Sequence, residues 1–158
     1  MKKVPLTQGK YALVDDSDFE ALTRHDWHVS KQSKGRFYAL RSVANGKGKQ
    51  KAIRMHREIM QTPEDMETDH VDGNGLNNQR SNLRVCTKAE NNRNVSKRRD
   101  NTSGFKGVSF EKSSKRWAAN IMSNGKQIKI GRFPTKESAY AAYCEACVKY
   151  HGAFSRLK

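Results

Sequence analysis

The chain has 158 residues, which is enough for one ordinary domain or two small ones. Hydrophobic residues make up 35% of it and the mean hydropathy is -0.94, so the apolar residues are too few for one large core. Lys and Arg number 31 against 16 Asp and Glu, and the formal charge of +15 favours a polyanionic partner, because each neutralised phosphate releases condensed counterions.

Residues 1–54 carry short apolar patches separated by polar stretches rich in Gly and Lys. The patches are Tyr11–Val14, Phe37–Leu40 and Ala52–Met55. Short alternating patches of this kind predict strands and hairpins. Residues 18–22 are interpreted as a short helical turn.

Residues 55–95 are polar throughout, with a loop-rich middle at residues 72–78. Such a stretch buries little by itself, so a metal or a function is needed to justify its order. Asp69 and His70 are expected at the end of a strand, and Lys88–Asn94 is expected to form a short helix. The alternative interpretation is structural, because Asp-Gly-Asn-Gly is a turn composition and Asn-rich loops often satisfy only their own backbone.

Asp69 and His70 suit the hydrolysis of a phosphodiester. A carboxylate beside an imidazole can supply a hard oxygen ligand and a general base from one short segment. Asn91 lies 21 residues after His70. A strand, an Asx-rich turn and a helix would bring its side-chain oxygen back near Asp69.

The same segment resembles the ββα-metal (His-Me) finger of HNH homing endonucleases from phages and group I introns. The residues that carry the resemblance are Asp69-His70, Asp72-Gly73-Asn74, Asn77-Asn78, Asn82-Leu83-Arg84, Thr87, Glu90-Asn91 and Asn94. Residues 55–57 resemble the first strand of the same finger.

The resemblance implies a role for each matched position. Asp69 and Asn91 are the implied ligands of one divalent metal, Mg²⁺ or Mn²⁺, and His70 is the implied general base. Asn82 is implied to fix the finger and to orient the histidine. His56 and Asn94 are implied supporting residues. Asparagine rather than histidine at position 91 places the chain in the Asp/Asn metal-binding subgroup and not with zinc-type sites.

Residues 96–102 are interpreted as a basic linker, and a sharper pattern follows in residues 103–158. Alternation predicts three strands, Phe105–Phe110, Arg116–Ser123 and Lys126–Phe133, with an Asn-Gly hairpin turn between the last two. A helix is predicted over Lys136–Tyr150, with Thr135 as its N-cap and Gly152 as its stop.

The positive charge is concentrated in this last part of the chain. Residues 96–158 hold 14 Lys and Arg against 4 Asp and Glu, whereas residues 1–95 hold 17 against 12. The segments Ser103–Phe110, Lys115–Ile121, Ile130–Phe133 and Glu137–Tyr143 resemble the plant ethylene-response-factor (Apetala-type) DNA-binding domain. That domain also occurs in phage homing endonucleases and faces the DNA major groove with its three-stranded sheet.

The resemblance and the strand alternation together predict the side chains that contact DNA. Ser109 and Met122 stand where the family has base-contacting arginines, so phosphate contact is expected more than base recognition. The predicted DNA-binding residues are Lys106, Ser109, Lys115, Arg116, Asn120, Gln127, Lys129 and Arg132.

These interpretations combine into an α+β chain. It has a β-rich N-terminal segment (1–54), an HNH finger (55–95), a linker (96–102) and a three-stranded antiparallel sheet packed on one helix (103–158). The predicted function is metal-dependent hydrolysis of double-stranded DNA by a homing-type endonuclease. The alternatives are a non-catalytic DNA-binding regulator that retains a degenerate finger and, more distantly, an RNA-binding protein.

The remaining expectations concern partners and location. No apolar run approaches the roughly 20 residues that span a bilayer, and residues 1–9 lack the apolar region of a secretory signal. Three cysteines cannot form a disulfide framework. We therefore expect a monomer in the cytoplasm (the host cytoplasm if a phage encodes it), without a membrane partner or a small-molecule cofactor.

Overall fold

The computed structural model describes residues 1–32, 35–46, 49–94, 97, 100–155 and 157. It divides into two compact units, Met1–Lys88 and Ala89–Lys158. The predicted boundary between residues 54 and 55 falls inside the first unit, and residues 96, 98 and 99 of the predicted linker lie outside the described residues. Within the described ranges, no helix is long and apolar enough to cross a membrane.

In its described residues the first unit consists of small antiparallel sheets and two short helices, which confirms the β-rich expectation. Its sheets contain β1 with β2, then β3, β4 and β5, then β6 with β7. The bounds are β1 (Lys2–Pro5), β2 (Tyr11–Val14), α1 (Asp16–Thr23), β3 (His28–Lys31), β4 (Phe37–Ala44), β5 (Gln50–Arg54), α2 (Met55–Ile59), β6 (Glu67–His70), a 3₁₀ turn (Arg80–Asn82) and β7 (Leu83–Cys86).

The core of this unit is thin, as the composition predicts. Side chains from strands, helices and the finger meet in one buried cluster, so the finger shares its core with the N-terminal strands. Members of the cluster include Val4, Ala12, Val14, Leu22, Trp27, Ala39, Met55, Ile59 and Leu83.

One predicted element of the first unit is wrong. Residues 55–57 were expected as the first strand of the finger, but they open helix α2. Met55 and Ile59 are both buried and lie four residues apart, so they share one face of the helix. Burial of that face against the core favours one helical turn over an extension of β5.

The second unit is a three-stranded antiparallel sheet packed on one helix, as expected, so the chain is α+β. Strand β9 lies between β8 and β10. The bounds are β8 (Val108–Glu111), β9 (Arg116–Ser123), β10 (Lys126–Phe133), α4 (Lys136–His151) and a 3₁₀ turn (Gly152–Phe154). Helix α3 (Lys88–Asn91) begins at the end of the first unit, and a 3₁₀ turn (Asn92–Asn94) follows it.

Local signals at the ends of these elements act as predicted. Asn124 and Gly125 both have positive φ, at 49° and 75°, as the hairpin turn between β9 and β10 requires. The Thr135 hydroxyl accepts a hydrogen bond from the Ser138 N–H at 3.1 Å and caps α4. Gly152 follows the last helical residue with φ of 52°.

The first strand of the sheet is shorter than predicted. It begins at Val108 rather than Phe105, because Gly107 has φ of 75° and interrupts the extended chain. A Cβ at Gly107 would lie 2.1 Å from the ring of Tyr143, so only glycine fits there. Lys106 consequently lies outside the strand.

Candidate functional site

Asp69 and His70 end strand β6, as predicted, and both are buried. The strand pairs with β7, so that Asp69 lies opposite Arg84 and His70 opposite Leu83. The chain leaves the strand at Val71, whose N–H donates to the Asn82 carbonyl at 2.9 Å. The two-stranded ladder therefore fixes the backbone of both residues.

The Asp69 carboxylate is held by a cation from the neighbouring strand. Its Oδ2 accepts hydrogen bonds from Arg84 Nε at 2.8 Å and from Arg84 Nη2 at 2.6 Å. Both side chains are largely shielded from solvent, so the pairing is a charge-assisted contact of low exposure. Arg84 thus sets the position of the carboxylate.

The His70 ring is held by Asn78 rather than by Asn82. The distance from His70 Nε2 to Asn78 Oδ1 is 3.1 Å, and the Asn78 side chain is fully buried. With Nε2 protonated, the ring donates to Asn78 and carries its lone pair on Nδ1. Burial lowers the pKa of His70, and the bond to Asn78 and the charges of Asp72 and Asp69 oppose that shift only in part.

A second buried histidine lies against His70. The His56 ring centroid is 4.9 Å from that of His70 at an interplanar angle of 89°, and Tyr38 lies within 6 Å of both rings. Burial is the main cause that lowers the pKa of His56 to about 3, followed by the charges of His70, Arg54 and Arg57. His56 is therefore a neutral wall of the His70 pocket at neutral pH.

Asn82 organises the loop that follows His70. Its Nδ2 donates to Asp72 Oδ1 at 3.0 Å and to the Asn77 carbonyl at 2.8 Å, while its Oδ1 accepts from the Asp72 N–H at 3.0 Å. Burial alone would raise the pKa of Asp72, but hydrogen bonds from Asn74, Asn77 and Asn82 outweigh it and lower that pKa. Asn82 thus fixes the loop, and Asn78 is the side chain that contacts the histidine.

The loop also contains the turn hydrogen bonds that the structural interpretation expects. Asp72 Oδ1 accepts from the Asn74 N–H at 2.7 Å, and Asn74 Oδ1 accepts from the Leu76 N–H at 3.1 Å. These two Asx turns account for Asp72 and Asn74. They do not account for Asp69 or His70, which lie on the strand.

The N-terminal strands support the same loop from outside the finger. The Leu13 N–H donates to the Leu76 carbonyl and the Asn78 N–H donates to the Leu13 carbonyl, both at 2.8 Å. Asp15 accepts from the Arg80 N–H at 2.8 Å, and Asp18 pairs with the Arg80 guanidinium. The backbone of Asn78, and through it the His70 ring, is therefore anchored on β2.

In the second unit, one face of the sheet is open and polar, as the alternation predicts. Val108, Ala119 and Ile121 are buried against α4. Asn120 on the opposite face is half-buried. Six other predicted DNA-binding residues are exposed on that face or in the turn before β9, namely Ser109, Lys115, Arg116, Gln127, Lys129 and Arg132.

Two predicted DNA-binding residues already have protein partners. Lys106 is half-buried, and its Nζ donates to the Arg93 carbonyl at 3.2 Å. Arg132 donates to Glu111 Oε1 at 3.0 Å. The Arg132 guanidinium and a hydrogen bond from Ser114 lower the pKa of Glu111.

Comparisons with known proteins agree with both halves of this description. The family model described as HNH endonuclease matches residues 61–93, and the model described as AP2 domain matches residues 103–153. Protein 3.8 of Escherichia phage T7 is 37% identical over 113 residues, which are 68% of this chain and 93% of the phage protein. The chain combines an HNH endonuclease domain with an AP2 domain.

Two further relatives cover different parts of this HNH–AP2 chain. An uncharacterized HNH endonuclease, L560 of Acanthamoeba polyphaga mimivirus, is 29% identical over 94% of this chain and 74% of its own length. The AP2-like ethylene-responsive transcription factor TOE2 of Arabidopsis thaliana is 39% identical over 34% of this chain and 11% of its own length. No solved structure matches.

The predicted metal ligands of the HNH finger fall in different units. Asp69 ends β6 in the first unit, whereas Asn91 ends α3 in the second and is half-buried. In the described part of the chain, no group of three or more His, Cys, Asp and Glu side chains is arranged to hold a metal ion. A carboxylate and an amide both offer hard oxygens, and this donor chemistry fits Mg²⁺ or Mn²⁺ better than zinc.

Four residues of the site did not emerge from the sequence as individual candidates. Asn78 and Arg84 were matched only as members of the Asn-Asn and Asn-Leu-Arg runs. Tyr38 lies on β4, far from the finger in sequence. Gly75 lies under Tyr38, where a Cβ would be 2.4 Å from the Phe37 carbonyl oxygen and 2.5 Å from the Tyr38 ring. The remaining predicted residue, Asn94, is buried in the 3₁₀ turn after α3.

Proposed function

We propose that this HNH–AP2 chain is a metal-dependent endonuclease of the homing type that hydrolyses phosphodiester bonds of double-stranded DNA. The observation that carries the proposal is the buried Asp69–His70 pair at the end of β6, with the His70 ring held by Asn78. A histidine whose pKa is lowered by burial is neutral at pH 7 and can accept a proton.

In the proposed reaction, His70 removes a proton from the attacking water. The bond between its Nε2 and Asn78 fixes the ring, so that the Nδ1 lone pair accepts the proton. His56 and Tyr38 pack against the ring and limit the access of bulk water to it.

Asp69 is the proposed holder of Mg²⁺ or Mn²⁺, and Asn91 remains the second ligand that the sequence resemblance implies. The bound cation would stabilise the negative charge that develops on the phosphate. Arg84 holds the Asp69 carboxylate in place, and Asn82 keeps the following loop closed through Asp72 and Asn77. Arg84 and Asn82 are therefore proposed as positioning residues, and His70 remains the proposed general base.

The second unit is the proposed DNA-binding domain. Its open sheet face carries several exposed cations without a matching number of carboxylates, and residues 96–158 have a net charge of +10. Phosphate contacts by such residues supply affinity that does not depend on sequence. AP2 and HNH domains both bind DNA, which supports DNA as the partner.

The proposal is tested by cleavage of duplex DNA in Mg²⁺ under single-turnover conditions. His70→Ala should lower the cleavage rate by roughly 100-fold or more, which is the usual effect of losing a general base. Affinity for DNA should change little. His25→Ala is the matched control, because His25 is exposed in the same unit. A His70→Ala protein that cuts at the wild-type rate would remove His70 from the mechanism.

The metal is tested separately at Asp69. Asp69→Asn should abolish metal-dependent cleavage because the substitution removes the charged oxygen donor. The wild-type protein should lose cleavage in excess EDTA and regain it with Mg²⁺ or Mn²⁺. Full activity in the chelator is the result that contradicts a metal-assisted reaction.

A second candidate function is favoured by the ion pair between Arg84 and Asp69. If the guanidinium keeps the carboxylate from a metal, the chain is a DNA-binding regulator with a degenerate finger. The cleavage assay separates the two functions, since a regulator binds duplex DNA but does not cut it with any divalent metal.

A further inference from the structure

The end of the open sheet face next to the β9–β10 turn carries a compact set of side chains. Asn120 on β9 lies opposite Lys129 on β10, and Met122 lies opposite Gln127. Residues two apart on a strand share a face, so the four side chains form two adjacent cross-strand pairs. We call Asn120, Met122, Gln127 and Lys129 the amide–methionine patch.

The two side-chain amides of the patch have no hydrogen-bond partner in the described part of the chain. Neither the Asn120 nor the Gln127 side-chain amide has an intramolecular hydrogen bond there, although Asn120 is half-buried. Met122 is 55% exposed. One exposed methionine is ordinary on a protein surface, but here it lies next to two unpaired amides and a lysine.

The other end of the same face is different because it has no side-chain amide and its carboxylate is already paired, while Arg116 is exposed there. Arg132 and Glu111 form an ion pair, and Ser114 donates to the same carboxylate. Ser109 and Ala118, which lie beside Arg132 across the strands, are small. The amide groups that can both donate to and accept from a base are therefore concentrated in the amide–methionine patch.

Base pairs in the major groove differ in the chemistry that they present. Adenine presents N7 and the N6 amino group, which a Gln or Asn amide contacts with two hydrogen bonds. Thymine presents its C5-methyl group, which an apolar side chain contacts. Guanine is usually contacted by Arg or Lys, and the patch contains one cation against two amides and one methionine.

We infer that the amide–methionine patch recognises A·T base pairs in the major groove, with Gln127 and Asn120 on adenine and Met122 on a thymine methyl group. This inference rests on the proposed DNA binding by the second unit and adds a base preference to that binding. Lys129 is expected to contact a neighbouring phosphate without selecting a base. The sequence alone favoured phosphate contact, which by itself predicts no base preference.

The first experiment is selection of sites from a randomised duplex by the full-length protein in EDTA, so that cleavage does not remove bound DNA. The selected sites should share A·T pairs at fixed positions. Gln127→Ala should remove the preference at one position and lower affinity for the selected site by about tenfold, as the loss of a good bidentate contact does. Lys126→Ala is the control, because Lys126 is exposed on the same hairpin but pairs with Ser123 on the opposite face.

The second experiment changes single atoms of the DNA in the selected site. Replacing the contacted thymine with uracil removes one methyl group and should weaken wild-type binding by about fourfold. Met122→Ala should make binding indifferent to that replacement. Replacing the adenine that Gln127 contacts with 7-deazaadenine should weaken DNA binding by the wild type and by Lys126→Ala. The same replacement should not weaken DNA binding by Gln127→Ala.

The two proposals fail in different ways. Selected sites without a shared A·T position, or a uracil penalty that persists in Met122→Ala, overturn the base preference even if the protein cuts DNA. A protein that selects A·T sites but does not cut with any divalent metal overturns the nuclease and leaves the base preference intact.

Discussion

His56 occupies an environment that suits only a neutral imidazole. Its side chain is buried against His70 and Tyr38, and its Nδ1 is buried without a hydrogen-bond partner among the described residues. Protonation would place a charge in this pocket beside Arg54 and Arg57, which also oppose it. The stability of the first unit should therefore depend on pH in part through His56.

The direction of that dependence follows from the two pKa values of His56. Its pKa is 6.5 in the unfolded chain and about 3 in the folded one, so the unfolded state binds more protons between these values. The contribution of His56 to the free energy of unfolding should level off above pH 6.5 and should fall by about 2 kcal/mol from pH 8 to pH 5. His56→Gln should lose less, as measured by urea unfolding at each pH.

The comparison between the two proteins isolates His56 from other groups. His70, whose pKa is also lowered, contributes a loss of the same sign in both. Parallel losses in the wild type and in His56→Gln would show that His56 is protonated in the folded state at pH 5.

At the scale of elements, the finger depends on a close approach between its loop and β4. Gly75 lies against the Phe37 carbonyl and the Tyr38 ring, and Tyr38 in turn packs on both histidines. A side chain at position 75 would push the loop away from β4. The shape of the histidine pocket therefore depends on this glycine.

Gly75→Ala should destabilise the first unit by about 2 kcal/mol or more, because the added methyl group overlaps backbone as well as a ring. Gly9→Ala is the control in the same unit. Gly9 has φ of 65° and open space around its Cβ position, so it should show only the cost of positive φ, about 1 kcal/mol. Urea unfolding of both variants measures the difference, and equal losses would contradict a packing role for Gly75.

The elements that the sequence predicts well are those with local signals. Alternation predicted β2, β9 and β10, and the Asn-Gly pair and Thr135 predicted the hairpin turn and the start of α4. Helix α2 was missed because five residues are too few to display a helical period, and its helical state depends on burial of Met55 and Ile59.

Only those residues of the candidate site that are neighbours in the sequence could be predicted. Asp69 and His70 are adjacent in sequence and lie together on β6. Asn78 could not be identified as the partner of the His70 ring, because its position depends on a backbone hydrogen bond to Leu13 in another part of the chain. Lys106 was placed inside the first predicted strand of the sheet because the positive φ of Gly107 is not visible in strand alternation.

At the scale of the whole molecule, charge is distributed unevenly along the chain. Residues 96–158 carry a net charge of +10 and residues 1–95 carry +5. The proposed catalytic histidine lies in the weakly charged part, whereas the AP2 domain lies in the strongly charged part. Affinity for DNA and chemistry on DNA should therefore be separable.

Deletion of residues 101–158 should weaken DNA binding strongly and flatten its dependence on salt, because each phosphate contact contributes a log–log slope of about 0.9. The remaining protein should still cut weakly at high enzyme concentration. Titration of DNA at several salt concentrations measures the slope, and an unchanged slope in the deleted protein would show that the DNA-binding surface lies elsewhere.

Charge reversal at Lys129 should reproduce part of the loss of affinity on unrelated DNA sequences. Charge reversal at Lys106 should also lower the affinity, and it should in addition break the hydrogen bond to the Arg93 carbonyl. The same salt titration measures both effects.

The hydrogen bond between Asp15 and Arg80 joins residues 65 positions apart, and Leu13 meets residues 76 and 78 in the same region. Contacts of such long range form only after the entropy of closing the intervening chain has been overcome. During synthesis, the β1–β2 hairpin leaves the ribosome well before the loop that it must hold. The histidine pocket therefore cannot assemble on a nascent chain until nearly the whole first unit has emerged, so an incomplete chain would not carry an organised site.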